Sequence, residues 1–128
     1  ALIDDSYNAN PGSVRAAIDV LAASKGRKIL ALGHMAELGS EAAQQHREIA
    51  AYARENRLDA VFITGEYANM MAMEFGPNGW AYNDKPSLIS ALQGYLKAGD
   101  TVLVKGSRSA EMELVVDAIA ADLARRNN

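Results

Sequence analysis

Apolar residues along this chain fall into two alternating patterns. Ile29 to Leu32, Ala60 to Thr64 and Thr101 to Val104 are short, nearly unbroken apolar runs, the signature of strands buried on both faces. Leu2-Ile3-Asp4 reads as a further strand, and Trp80-Ala81-Tyr82 as a short edge strand. Between these runs the apolar positions recur every three or four residues. Val14, Ala17, Ile18 and Leu21 predict a helix that opens at Pro11 behind an Asn10 N-cap and ends at Gly26. Ala43, His46, Ile49, Ala50 and Ala53 predict a long helix over about 41–56, capped by Ser40. Tyr67 to Phe75 reads as a methionine-rich helix stopped by Gly76-Pro77. Pro86 opens a helix carrying Leu88, Ile89, Leu92, Tyr95 and Leu96. The last helix carries Met112, Val115, Val116, Ile119 and Leu123, with Arg125 and Arg126 near its negative end.

Strand and helix alternate five times. That predicts an α/β fold: a three-layer αβα sandwich, Rossmann-like, whose mostly parallel sheet has five to six strands. The length of 128 residues suits a single domain over 1–128 with a real core. A net charge of −3, with no Lys/Arg-rich window, argues against a nucleic-acid footprint. No apolar run approaches the roughly 18 residues of a membrane span, so no membrane insertion is expected. The absence of cysteine excludes a disulfide framework and a thiolate metal site, in keeping with a reducing compartment. The opening residues, Ala1 to Asp5, carry no basic leader and read as a strand cut into, so an excised domain is expected.

In an open parallel sheet the ligand crevice lies beyond the carboxyl ends of the strands. Four polar loops are expected there: Asp4 to Asn10, Gly33 to Gly39, Thr64 to Tyr67, and Lys105 to Ser109. Most have a bland reading beside a functional one. Asp4 and Asp5 could simply end a strand, and Asn8 and Asn10 could be turn and cap formers. His34 could be an ordinary loop histidine. His46, on an apolar helix face, reads as a satisfied core histidine, and Met70, Met71 and Met73 as core filler. Lys105-Gly106-Ser107-Arg108-Ser109 is different. Two cations and two hydroxyls running from a buried strand into a helix N-terminus predict an anion site.

Complete catalytic motifs are missing. There is no G-x-x-x-x-G-K-[ST], since Gly33 to Gly39-Ser40 has the wrong spacing and no Lys, and no G-x-G-x-x-G after the first strand. H-E-x-x-H and G-x-S-x-G are also absent. The chain reads as a substrate-binding half with no metal site of its own. Two rivals stay open: a non-catalytic α/β binding module, and a phospho-receiver-like module. A receiver would need an acceptor Asp where this chain has Thr64-Gly65.

Three loop sequences carry a family resemblance. Asp4-Asp5-Ser6-Tyr7-Asn8-Ala9-Asn10-Pro11, Leu32-Gly33-His34-Met35-Ala36-Glu37-Leu38-Gly39, and Val104-Lys105-Gly106-Ser107-Arg108-Ser109 with Met112-Glu113 resemble the C-terminal domain of the Mur ligases. They occur in order across the chain. One departure is His34, where the family usually shows Asp; Glu37 stays in place.

The resemblance implies the third domain of a bacterial, cytoplasmic, monomeric peptidoglycan ligase, with its N-terminal and central ATP-binding domains outside this chain. It implies a reaction that joins D-Ala-D-Ala to UDP-MurNAc-tripeptide through an acyl phosphate, using ATP and Mg²⁺ held mainly by the central domain. The isolated domain is expected to be inactive, with no catalytic residue of its own. Substrate contacts are implied for Asn8, Asn10, His34, Glu37, Gly65, Lys105, Ser107 and Arg108. ATP contacts are implied for Asp5, Tyr7, Asn8 and Asn10.

Overall fold

The computed structural model describes residues 1–36 and 38–126. Strands β1 (Leu2–Asp5), β2 (Lys28–Leu32), β3 (Ala60–Thr64), β4 (Gly79–Tyr82) and β5 (Thr101–Lys105) form one sheet in the order β1-β5-β2-β3-β4. Every neighbouring pair is parallel: Val102 lies between Leu2 and Ile29, and Val61 stands opposite Gly79. The sheet therefore has the lower of the two expected strand counts among the described residues, and Trp80 to Tyr82 is the edge strand foreseen.

Side chains alternate across each strand, so each strand feeds two cores. Leu30, Leu32, Val61, Ile63 and Leu103 face α1 (Pro11–Ala22), α2 (Ala42–Glu55) and α3 (Ala68–Phe75). Ile29, Ala31, Phe62, Val102 and Val104 face α4 (Lys85–Tyr95) and α5 (Glu113–Arg126). This is the three-layer sandwich, with three helices on one face and two on the other.

At the end where the strands begin, polar groups are closely paired. Asp100 receives Nε and Nη2 of Arg27 at 2.9 and 2.7 Å and the Lys97 amide at 2.8 Å. Arg27 also donates to the Tyr95 carbonyl and lies 4.3 Å from that ring's centre. These contacts hold the Asp100 carboxyl below its ordinary range, the Arg27 hydrogen bond being the largest cause. Gly26 turns the chain there at φ +75°, and a Cβ on it would sit 1.9 Å from the Gly99 carbonyl oxygen.

Asn10 caps α1 as expected, in a reciprocal box: its side chain accepts the Ser13 amide while Ser13 Oγ accepts the Asn10 amide. Three expectations change. The first helix ends at Ala22, before Gly26, with Ser24 Oγ folded back onto the Val20 carbonyl. Ser40 does not cap α2; it sits inside a 3₁₀ turn, Gly39–Glu41, and α2 starts without a side-chain cap. Of the three methionines only Met71 is core, because it shares the stripe of Ala68, Ala72 and Phe75. Met70 and Met73 fall off that stripe, and Met73 is 84% exposed. As expected, Arg125 and Arg126 fall in the last turn of α5, and Arg126 also donates to the Gln93 and Leu96 carbonyls, capping the neighbouring α4.

Candidate functional site

Connection direction places the site. β1 and β2 lead to helices on one face, while β5, lying between them, leads to α5 on the other. The loop after β5 thus parts from both neighbours, and a crevice opens on each side of it. On the β1 side a cleft of ≈ 290 Å³ is lined by Asp4, Ser6, Tyr7, Arg108 and Glu113. On the other side a more open cleft of ≈ 600 Å³ is lined by Asn8, Asn10, Ala36, Leu38, Ser107, Arg108 and Ser109, among others. Arg108 borders both.

Each wall has a local cause. Asp4 Oδ1 accepts the Ser6 amide at 3.1 Å and the Ser6 hydroxyl at 2.6 Å, turning the chain at the end of β1. Tyr7 then projects with 77% of its surface exposed. Lys105 points inward instead of into either cleft. It is 2% exposed, donates through Nζ to the Asn8 carbonyl at 2.7 Å, and pairs with Asp5 Oδ2 at 2.9 Å. Its charge ties β5 to the first loop, and Asp5 is correspondingly engaged.

The β2 and β5 loops are stitched together. The Gly33 amide donates to the Lys105 carbonyl and the Ser107 amide to the His34 carbonyl, at 2.9 and 3.0 Å. His34 Nε2 lies 2.9 Å from Ser109 Oγ, which lies 3.1 Å from Ser107 Oγ. Gly33 and Gly106 are required by space: a Cβ on Gly106 would meet Met112 Cγ at 2.6 Å, and one on Gly33 the Ala110 Cβ at 2.8 Å. Gly65 (φ +117°) lets the β3 loop abut His34, where a Cβ would come within 3.0 Å of the His34 Cβ. It supports the wall and does not line either cleft.

The β5 loop does not run straight into a helix N-terminus. A 3₁₀ turn, Arg108–Ala110, and a left-handed Glu111 at φ +53° intervene before α5. The Leu114 and Val115 amides at the start of α5 are taken by the Glu111 and Met112 carbonyls. Any anion here is therefore held by Arg108 and hydroxyls rather than by a helix end. Among the described residues, the Arg108 guanidinium is in no ion pair. Glu113, which shares the smaller cleft with it, was not singled out as a contact residue; its signal was an acid in the first turn after a glycine-containing loop. Glu37 lies outside the described residues.

His46 is the satisfied core histidine expected. It is buried, with Nδ1 2.7 Å from the Ala42 carbonyl, Nε2 accepting the Met35 amide at 3.3 Å, and its ring centre 4.6 Å from that of Tyr67. Burial pushes its imidazole below the ordinary 6.5, the Ala42 bond opposing in part.

The arrangement can bind and orient an anion and a polar or aromatic partner. Among the described residues there is no group of three metal-ligating side chains. β3 ends on Thr64 with no carboxylate where a receiver would carry its acceptor.

Residues 1–108 match the family described as Mur ligase, glutamate ligase domain. The chain is 42% identical over 120 residues to the UDP-N-acetylmuramoyl-tripeptide–D-alanyl-D-alanine ligase of Escherichia coli K12, covering 92% of this chain and 26% of the relative. It is 35% identical over 125 residues to the ligase of the same name from Synechocystis, covering 94% and 28%. The chain thus spans about a quarter of the length of these relatives. Among solved structures, a MurF crystal structure from Acinetobacter baumannii aligns with TM-score 0.84 at 32% identity, over 91% of this chain and 26% of that one. MurF from Thermotoga maritima in complex with ADP aligns with TM-score 0.81 at 28% identity, over 98% and 29%.

Proposed function

Because the chain belongs to the Mur ligase family through its glutamate ligase domain, we propose that it is the closing, substrate-binding third domain of an ATP-dependent peptidoglycan-precursor ligase. The reaction joins D-Ala-D-Ala to UDP-MurNAc-tripeptide in the bacterial cytoplasm. One observation carries the reading: an arginine without an ion-pair partner among the described residues stands on the ridge between two polar clefts at the sheet's carboxyl edge.

In this reading the tripeptide carboxylate takes the γ-phosphoryl group of ATP, releasing ADP. The dipeptide amine attacks the acyl phosphate, and the tetrahedral intermediate collapses with loss of phosphate and a proton. The Walker loop and Mg²⁺ site lie outside this chain, and the isolated domain is inactive. What these residues do is bind and position. Arg108, with Ser107 and Ser109 beside it, holds the dipeptide carboxylate or neighbouring phosphoryl charge through directed N–H donors. Tyr7 and Asn8 present a ring and an amide to the nucleotide. Asn10 has its Oδ1 engaged in capping, which leaves its Nδ2 as a donor for a ligand. Asp5 and Lys105 act from behind by shaping the first loop. Closure of this domain onto the others is a required step.

The test is phosphate release by the parent chain from ATP and UDP-MurNAc-tripeptide, with and without D-Ala-D-Ala. Release that depends on the dipeptide, and none from residues 1–128 alone, is expected. Dipeptide-independent release, or none, would overturn the acceptor assignment. Arg108→Ala in the parent should raise the KM for the dipeptide or lower kcat; if both stay unchanged, the ridge has no such role. An Asn8→Ala/Asn10→Ala double variant with normal KM for both ATP and dipeptide would remove those two contacts.

A further inference from the structure

One wall of the larger cleft comes from the residues after β2, of which 33–36 and 38 have no regular structure, and it supplies Ala36 and Leu38. On one side that segment is fastened to the β5 loop, by the Gly33 amide and the His34 carbonyl. The next amide, that of Met35, is buried, and its acceptor comes from a different element: Nε2 of His46 on α2, at 3.3 Å. The Ala42 carbonyl, 2.7 Å from Nδ1, can only accept, so the ring hydrogen must sit on Nδ1 and Nε2 must be bare.

We propose that His46 is the positioning residue of the larger cleft: its bare Nε2 holds the Met35 amide and so fixes the wall formed by Ala36 and Leu38. A proton added at Nε2 would set donor against donor in a buried contact, and the loop would have to release its hold. Among the described residues, the titratable groups facing the ring from other elements are His34 on the same loop, Glu66 and Tyr67. A charged His34 opposes protonation of His46, and Glu66 favours it. Because burial lowers the folded-state value, the unfolded chain binds this proton first. The contribution of His46 to stability is thus present above the ordinary 6.5 and is lost as pH falls below it toward the folded value. The consequence for catalysis rests on the ligase reading above; the loop anchoring does not.

Nuclear magnetic resonance on the 128-residue chain tests the anchor directly. The His46 ring should show hydrogen on Nδ1 only, and the Met35 amide resonance should shift on acidification with the same midpoint as the His46 ring. In His46→Leu the Met35 amide should exchange with solvent about tenfold faster, as loss of one hydrogen bond predicts, while the Leu103 amide in β5 stays as it was. His46→Gln, whose side-chain oxygen can accept at the same reach, should restore Met35 protection. A Met35 resonance that ignores the His46 titration, unchanged exchange in His46→Leu, or failure of Gln to rescue would each overturn the proposal. If His46→Leu does not fold, the wild-type titration and the Gln variant decide. A parent chain without dipeptide-dependent phosphate release would sink the ligase reading alone, and these spectra would still report on the anchor.

Discussion

Arg27 and Arg108 stand at opposite ends of the same sheet. Arg27, where the strands begin, clamps the buried Asp100 with two nitrogens, donates to the Tyr95 carbonyl and stacks on its ring. Arg108, where the strands finish, has no ion-pair partner among the described residues and borders two clefts. The same side chain is a fastener at one end and an open donor at the other. Paired groups can be concentrated at one end of the sheet, which leaves Arg108 at the other end without an ion-pair partner among the described residues.

Substitutions can break or sharpen that contrast. The largest effect belongs to Gly26→Ala, whose Cβ would press on the Gly99 carbonyl in a left-handed turn; a loss of about 3–4 kcal/mol in urea unfolding is expected. Arg27→Ala leaves the Asp100 carboxylate buried without its fork, and should cost about 2 kcal/mol after allowance for the partial exposure of Arg27. Neither should alter dipeptide KM in the parent enzyme at a temperature where it is folded. Asn10 belongs to both categories, as helix cap and cleft wall. Asn10→Ala should lose about 1 kcal/mol, and Asn10→Ser should recover that stability without recovering any ligand contact made by the amide. Arg108→Ala should change stability by less than about 0.5 kcal/mol, yet raise the KM for the dipeptide about tenfold, as loss of a charge-assisted bond predicts. A destabilising Arg108→Ala with unchanged kinetics would reverse the contrast.

Much of the fold was legible because its signals are local. Asn10-Pro11 announces α1, and the runs at 29–32, 60–64 and 101–104 announce strands that no other element could bury so fully. The sheet edge at which the two clefts open was expected from the strand-helix alternation alone. What stayed hidden depends on partners distant in sequence. Lys105 looks like a ligand-facing cation until β1 is placed beside β5, which brings Asp5 and the Asn8 carbonyl to its ammonium. Ser40 has the chemistry of a cap, but the 3₁₀ turn at Gly39–Glu41 moves the helix start beyond its reach. The methionines could not be sorted without knowing that α3 has only eight residues and one buried stripe. His46 was recognisable as a core residue, whereas the amide it holds, Met35, could be found only in three dimensions.

The strand order also sets a timetable for synthesis. Among the described residues β1 pairs with β5 alone, Leu2 with Val102, about a hundred residues later in the chain. While a ribosome is still making the middle of this domain, β2, β3 and β4 can already assemble side by side, but β1 has no neighbour to hold it. Loop closure of that length is slow relative to local pairing, and a nascent chain waits with one exposed strand. Both clefts are bordered by the β5 loop. A chain stopped short of Thr101 would carry three of the five strands in register and neither cleft, so the last strand to emerge is the one that creates both.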